Sequence, residues 1–100
     1  MRFDALTLFP EMFESVLNAS MLKRAREKKL LRVCVTDIRD FAEGRHKQAD
    51  DLPYGGGAGM VMKPEPVFKA VESLRPGKNT PVVLLTPAGR TFNNSVAREY

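Results

Sequence analysis

The sequence has a single cysteine, Cys34, and a single histidine, His46. A disulfide framework requires cysteine pairs and a structural zinc site requires four ligands, so both are excluded. Cys34 lies within an apolar strand pattern, which indicates a buried structural thiol rather than a nucleophile with His46 as its base. Chemistry that depends on a thiol or on zinc is therefore not expected.

Long apolar runs are also missing. No stretch approaches the roughly 20 residues that cross a bilayer. Asp4 and Glu11 interrupt the place where the apolar core of a signal peptide would lie. These absences predict a cytoplasmic protein with no membrane partner. The 100 residues, 43% hydrophobic and 28% charged, predict one small globular domain with a thin margin of stability.

Several familiar active-site motifs are absent. No Gly-Lys-Ser/Thr follows the glycine cluster at 55–59, which excludes a phosphate-binding P-loop. A dinucleotide-binding fingerprint would require glycine where Met60 stands. No Gly-x-Ser-x-Gly sequence occurs, so hydrolase chemistry has no support.

Basic residues are unevenly distributed in a chain whose net charge is only +4. Between Lys23 and Arg32 they outnumber acids by six to one, and a second set (Arg39, Arg45, His46, Lys47) flanks the next loop. Such clusters can bind the phosphates of a nucleic acid, although a solvated helix face is the more common explanation for a charge run. Both interpretations remain open from the charge pattern alone.

Hydrophobic periodicity predicts strands over residues 2–9, 31–38 and 81–86; the first alternates only weakly, whereas the last is strongly apolar. Helices are expected after Pro10, after a cap at Ser20, from Pro64, and after Asn93 or Asn94. The order β-α-α-β-loop-α-β-(α) is typical of an α/β protein with a mostly parallel sheet and flanking helices. The helix residues expected to face the core are Met12, Phe13, Val16 and Leu17, and later Val67, Phe68, Val71 and Leu74.

The predicted strand over Val82–Leu85 needs other elements to bury its apolar side chains. A strand this apolar is usually buried between helices on both faces and paired with another strand at each edge. One hundred residues supply few such partners. The pattern therefore predicts that the chain either dimerises extensively or forms part of something longer.

The segment Asp50–Met60 carries the strongest local signal. Its four glycines permit positive φ angles and close approach of a ligand to the backbone, but a glycine-rich turn before a short strand is also consistent with them. The carboxylates of Asp50 and Asp51 are able to hold Mg²⁺ or a base amino group, while cap and turn roles are equally common. The chemical and the structural explanations both stay open here.

The segment Leu84–Arg90 follows the last apolar strand. Ligands of open α/β sheets bind beyond the carboxyl ends of strands, and backbone groups in a Pro/Gly loop could bond an adenine edge. An ordinary strand followed by a Pro-Gly turn fits equally well. Alone, this segment is a weak indication of a binding site.

Taken together, five ordered motifs resemble the bacterial tRNA (guanine-N1)-methyltransferases along the whole chain. The aspartate-tyrosine-triglycine segment is the most specific of them. The motifs are Leu8-Phe9-Pro10-Glu11-Met12-Phe13, Arg39-Asp40-Phe41, Arg45-His46-Lys47, Asp50-Asp51-x-Pro53-Tyr54-Gly55-Gly56-Gly57-x-Gly59-Met60-Val61-Met62, and Thr86-Pro87-x-Gly89-Arg90.

This resemblance implies a SPOUT-class methyltransferase, an α/β fold with a carboxyl-terminal trefoil knot that is active as a homodimer. Such enzymes transfer a methyl group from S-adenosylmethionine to N1 of the guanosine 3′ to the anticodon, position 37 of tRNA. Residues 1–100 would form the first part of that domain, with the knot incomplete. The resemblance matches the first of three methyl-donor loops to Leu84, Leu85, Thr86, Pro87 and Gly89, although some relatives have tyrosine where Leu84 stands. It matches the substrate loop to Arg45, His46, Lys47, Asp50, Tyr54, Gly55, Gly56, Gly57 and Gly59.

The resemblance also implies what this chain does not contain. The other donor loops, and the aspartate that removes the N1 proton, would lie beyond Tyr100, so no catalytic residue is expected here. The chain alone is expected to be inactive. An alternative from a different class is a small basic RNA-binding module that uses the Lys23–Lys47 region without catalysis.

Overall fold

A computed structural model describes residues 1–100 and shows an α/β arrangement around a parallel pair of strands. Strand β1 (Arg2–Thr7) pairs with β2 (Arg32–Asp37) in a register that runs from Arg2 opposite Arg32 to Thr7 opposite Asp37. The amino group of Met1 continues this pairing by donating to the Leu30 carbonyl at 3.0 Å. The predicted parallel β-α-α-β unit is confirmed.

Two short helices, α1 (Glu11–Leu17) and α2 (Ser20–Glu27), connect the parallel strands. The Arg26 guanidinium joins them, because its Nη1 donates to the Leu17 carbonyl and to Asn18 Oδ1, both at 2.9 Å. The prediction that Ser20 caps α2 is wrong. Ser20 is the first residue of the helix, and no side chain bonds the free N–H groups of its first turn.

The rest of the chain contains smaller elements. A 3-10 helix (Ile38–Phe41) follows β2, and the strands β3 (Asp50–Asp51) and β4 (Val61–Met62) form a separate antiparallel hairpin. Helix α3 (Pro64–Ser73) packs on the 3-10 helix and on β1, and α4 (Asn94–Glu99) ends the order. The few buried residues are Ile38, Ala49, Pro66, Ala70 and Val96.

The predicted buried faces of the helices are only partly correct. Phe13 and Leu17 of α1 are half-buried, but Met12 and Val16 are exposed. In α3 the closest packing involves Pro66 and Ala70, whereas Phe68 lies in solvent. The other residues predicted for this face, Val67, Val71 and Leu74, are half-buried.

The predicted strand over 81–86 does not form. No backbone hydrogen bond joins these residues to another strand, and the side chains from Val82 to Leu85 are exposed, that of Leu85 to 88%. Extended backbone becomes a strand only when a neighbouring edge supplies its N–H and C=O partners. No such edge is placed beside this segment.

Strand β1 is also shorter and less buried than predicted. It ends at Thr7 rather than at residue 9, and Phe3 in its first half is 54% exposed. Cys34, opposite Asp4, is half-buried rather than fully buried. The two-stranded sheet therefore leaves apolar surface uncovered. No helix of the chain has the length and apolar character needed to cross a membrane.

Candidate functional site

The glycine-rich segment forms the tip of the β3–β4 hairpin. Asp50 pairs with Met62 and Asp51 with Val61, and the Lys63 N–H extends the ladder by donating to the Ala49 carbonyl at 2.8 Å. Ala49 is completely buried, so the base of the hairpin is anchored in the core. The tip, residues 52–60, projects from this base.

The backbone conformation of the tip explains its glycines. Gly55, Gly56, Gly57 and Gly59 all have positive φ, between 78° and 118°, a region that L side chains rarely adopt. A Cβ atom added at any of them would meet no other atom within 4 Å. Within this chain the glycines therefore serve the shape of the hairpin, and the space beside them is open to a ligand. Tyr54 at the same tip is fully exposed.

Basic side chains lie on the loop that leads into the hairpin. Arg45, His46 and Lys47 are all exposed, and the side chains of the first two make no hydrogen bond or ion pair. Lys47 Nζ lies 3.5 Å from Asp40 Oδ1. An exposed pair of this kind contributes little stability, so Lys47 can exchange its partner for another anion.

A second ion pair fastens this loop to helix α3. The ammonium of Lys69 donates to the Glu43 carboxylate, two residues before Arg45. This hydrogen bond first, and the lysine charge second, hold the pKa of the Glu43 carboxyl below its ordinary value. The contact therefore ties the loop to α3.

The adjacent aspartates at the hairpin base differ in their contacts. Asp51 is exposed, and its Oδ1 accepts the Leu52 N–H at 2.8 Å, which is a turn role. The Asp50 side chain is only 23% exposed, and its Oδ1 lies 3.8 Å from Nη1 of Arg39. No protein donor bonds Asp50 Oδ2. No group of three or more Cys, His, Asp or Glu side chains comes together in a way that could hold a metal ion.

The second predicted site, Leu84–Gly89, is an exposed loop in extended conformation. It ends in a turn where the Gly89 N–H donates to the Thr86 carbonyl at 3.1 Å. A Cβ at Gly89 would lie 3.3 Å from that carbonyl oxygen, so the turn has little room for a side chain. No hydrogen bond or ion pair connects this loop with the hairpin, so the chain does not itself bring the two predicted sites together.

The loop is held to the last helix by Arg90. Its Nη2 donates to Glu99 Oε2 at 2.6 Å, and the hydrogen bond raises the pKa of the Arg90 guanidinium above its ordinary value. Asn93 then caps α4 by accepting the Val96 N–H at 3.0 Å, as the sequence predicts. The pairing of Arg90 with Glu99 is not evident from spacing alone, because nine residues separate them across a turn.

The arrangement of a parallel β-α-α-β unit with a projecting hairpin is found in a solved enzyme structure. The chain superposes on the crystal structure of a tRNA (m1G37) methyltransferase from Aquifex aeolicus with a TM-score of 0.79 and 35% sequence identity, over 99% of this chain and 45% of that one. The chain thus has the α/β fold of a methyltransferase.

Sequence comparison gives the family. The model described as tRNA (Guanine-1)-methyltransferase TrmD matches residues 1–100, and the chain belongs to this family. A tRNA (guanine-N(1)-)-methyltransferase of Dehalococcoides mccartyi is 55% identical over 101 residues, and one from Geobacter sp. is 57% identical over 100. Each match covers 99% of this chain but only 41% and 40% of those proteins. The family resemblance expected from the five motifs is confirmed.

Proposed function

We propose that this chain supplies the substrate hairpin and one methyl-donor loop of an enzyme that methylates N1 of guanosine 37 in tRNA. Such an enzyme is a protein of the family's full length that contains this chain, called the full-length protein below. The proposal depends mainly on the exposed glycine-rich hairpin tip at 52–60. Free basic side chains lie on the loop that precedes it, and the chain belongs to this family. Residues 1–100 then form the first part of the methyltransferase domain.

The hairpin has the groups that a single-stranded RNA loop requires. Arg45 and His46 are free to contact phosphates, and Lys47 becomes free when it leaves Asp40. Tyr54 offers an exposed ring on which an unstacked base can lie. The open space beside the glycines admits a base turned out of its stack, and Asp50 Oδ2 can accept an N–H from its edge.

The donor loop fits S-adenosylmethionine through its backbone. The backbone N–H and C=O groups of residues 84 and 85 form no hydrogen bond within the chain, so they are available to an adenine edge. The tight turn at Gly89 fixes where they point. When bound, the cofactor supplies a methyl group on a sulfonium, which is already a good leaving group. The chain's residues position that group and the base rather than activate it.

Proton removal is the step for which this chain provides no group. N1 of guanine is weakly acidic, so a general base must take its proton as the methyl group is transferred. We infer from the family resemblance that the aspartate that acts as this base lies outside residues 1–100. We therefore propose that the chain alone binds parts of both substrates and transfers no methyl group.

The exposed surface supports a larger assembly as the working form, for which we propose a homodimeric, cytoplasmic enzyme. The chain exposes 8691 Å², whereas a compact protein of 11.2 kDa exposes roughly 5,700 Å². The excess includes apolar side chains such as Leu85, Met21 and Phe68. In the full-length protein, the additional sequence and a second subunit would cover this surface. A bound Mg²⁺ near Asp50 and Asp51 would need further ligands from outside the chain.

The test is methyl transfer to tRNA transcripts that differ only at position 37. The full-length protein with labelled S-adenosylmethionine should methylate a transcript with guanosine 37 at N1 and leave a transcript with adenosine 37 unlabelled. Mapping the product by mass spectrometry of nuclease fragments identifies the atom. Equal labelling of both transcripts, or none of either, contradicts the proposal.

The exposed basic residues of α2 and of the segment that follows it favour one alternative, a basic RNA-binding module without catalysis. Arg24, Lys28, Lys29 and Arg32 are exposed and lie in no ion pair. If they bind RNA, changing Lys28 and Lys29 to glutamate should make the dependence of tRNA affinity on salt shallower by about two units of slope. A steep salt dependence of binding, unaffected by S-adenosylmethionine and without methyl transfer, would favour this alternative.

A further inference from the structure

Arg39 is a half-buried basic residue beside the hairpin, unlike the exposed Arg45 and Lys47. Its backbone N–H donates to Asp37 Oδ1 at 2.8 Å, which fixes the start of the 3-10 helix. Its guanidinium lies 6.0 Å from the centre of the Phe9 ring, at the end of the β1 segment. Nη1 lies 3.8 Å from Asp50 Oδ1. Arg39 therefore connects three segments that are distant in sequence.

The setting of Arg39 differs from that of its basic neighbours. The Arg39 and Asp50 side chains are 34% and 23% exposed, whereas Lys47 and Asp40 are each 63% exposed. A half-covered ion pair is less screened by water and salt than an exposed one. The guanidinium carbon also lies over the Phe9 ring at 6.0 Å from its centre, within cation–π distance.

The contact with Asp50 is one-sided, and this leaves the carboxylate available. Arg39 approaches Oδ1 only, and Oδ2 has no partner in the chain. At 3.8 Å the contact is an ion pair rather than a hydrogen bond, so Arg39 attracts the carboxylate electrostatically and leaves its oxygens able to accept a hydrogen bond from a ligand. Asp50 is the first residue of β3, so the orientation of its side chain follows the direction of the hairpin.

We propose that Arg39 is a positioning residue, which acts through Asp50 by holding its carboxylate for the target base and does not contact RNA phosphates. This inference rests on the proposed function. The charge pattern alone groups Arg39 with Arg45 and Lys47 as phosphate ligands, and the structure separates it from them. The two roles predict different kinetics.

The test compares Arg39→Gln with wild type in the full-length protein, using steady-state methylation of tRNA. A positioning role lowers kcat by about 10- to 100-fold, because misplacement of a substrate group by about 1 Å has effects of this size. KM for S-adenosylmethionine and the salt dependence of tRNA binding remain unchanged. A phosphate role would instead raise KM for tRNA and make its salt dependence shallower, with kcat unchanged.

Three variants complete the experiment. Arg98→Gln, at an exposed arginine of α4 without an ion pair, is the matched control and should retain wild-type kcat. Arg39→Lys keeps the charge and should have a kcat between those of wild type and Arg39→Gln. If Arg39 acts through Asp50, adding Arg39→Gln to Asp50→Asn should lower kcat no further.

The inference is overturned if kcat of Arg39→Gln lies within twofold of the Arg98→Gln control, or if its effect adds fully to that of Asp50→Asn. If Arg39→Gln does not fold, Arg39→Lys decides: a kcat reduced about threefold or more supports positioning, and a wild-type kcat overturns it. An inactive wild-type protein would contradict the proposed function itself, so the two failures are distinguishable.

Discussion

Two neighbouring aspartates show how differently residues of one type can be used. Asp51 accepts its neighbour's N–H in an exposed turn, while Asp50 is half-covered and faces a guanidinium. Alternation along β3 places the two side chains on opposite sides of the hairpin base. The sequence leaves both a turn role and a ligand role open for the pair, and the structure assigns the turn role to Asp51.

Glu43 provides a prediction about pH at the residue scale. Because Lys69 lowers its folded-state pKa, the ion pair stabilises the protein at neutral pH, and this contribution is lost as pH falls through that lowered pKa, below the ordinary value of 4.5. Glu43→Gln should therefore lower the melting temperature of the full-length protein slightly at pH 7. The difference from wild type should shrink as pH falls from 5 toward 3.

The matched control for this titration is Glu72→Gln, at an exposed glutamate of α3 that forms no ion pair. Its melting temperature should follow that of wild type across the same pH range. A Glu43→Gln effect that is as large at pH 3 as at pH 7 would show that the ion pair is not its cause.

The sequence leaves open a glycine-rich turn before a short strand, and the structure shows that turn as the tip of a hairpin whose antiparallel pairing the sequence does not predict. Four positive φ angles follow from the glycines, and they allow the chain to reverse at 52–60. The start of α3 at Pro64 and the Asn93 cap of α4 are predicted for the same reason, since each depends on a few adjacent residues.

Elements that depend on distant partners are predicted less well. The apolar pattern of Val82–Leu85 is real, but a strand also requires an adjacent edge, which the pattern cannot supply. Phe68 has helical spacing with Val71, yet Phe68 is exposed and Ala70 is fully buried, because the burial of α3 depends on the elements that pack on it, among them the 3-10 helix. The Arg39–Asp50 contact likewise depends on tertiary structure, because it joins the end of β2 to the hairpin.

Gly57 tests whether the shape of the hairpin matters for activity. Its φ of 118° is unfavourable for any L side chain, so Gly57→Ala should strain the tip by about 1 to 3 kcal/mol. If that conformation is needed to bind tRNA, KM for tRNA should rise about 5- to 100-fold in the full-length protein.

Gly77→Ala is the corresponding control. Gly77 is not at positive φ, and an added Cβ would meet Thr80 Oγ1 at an ordinary 3.5 Å. Its KM for tRNA should be unchanged. Equal effects of the two substitutions, or no effect of Gly57→Ala, would show that the positive φ at the tip is not required for binding.

At the scale of the whole molecule, the chain is open rather than compact. Its radius of gyration is 15.8 Å, against about 13 Å for a compact domain of 100 residues. Only 5 of its 100 residues are buried, so few interactions oppose the entropy of unfolding. The chain spans about 40% of the relatives it matches, and the uncovered apolar surface is where further sequence or a second subunit would pack.

Hydrogen exchange can test directly whether further sequence or a second subunit buries residues 82–85. The backbone amides of residues 82–85 are unbonded in the isolated chain and should exchange at nearly the rate of an unfolded peptide. In the full-length protein they should exchange at least about 10-fold more slowly, because added structure would bury them. Gly55 and Gly57, at the exposed hairpin tip and with unbonded N–H groups, are the internal controls and should exchange rapidly in both proteins.

The central claim is that this chain holds the substrate hairpin and one donor loop, but not the base that completes the reaction. A single-turnover assay with excess enzyme, run in parallel on the 100-residue chain and on the full-length protein, tests it most directly. With tRNA containing guanosine 37 and S-adenosylmethionine, the full-length protein should form N1-methylguanosine and the chain alone should form none. N1-methylguanosine formed by the chain alone would contradict the account.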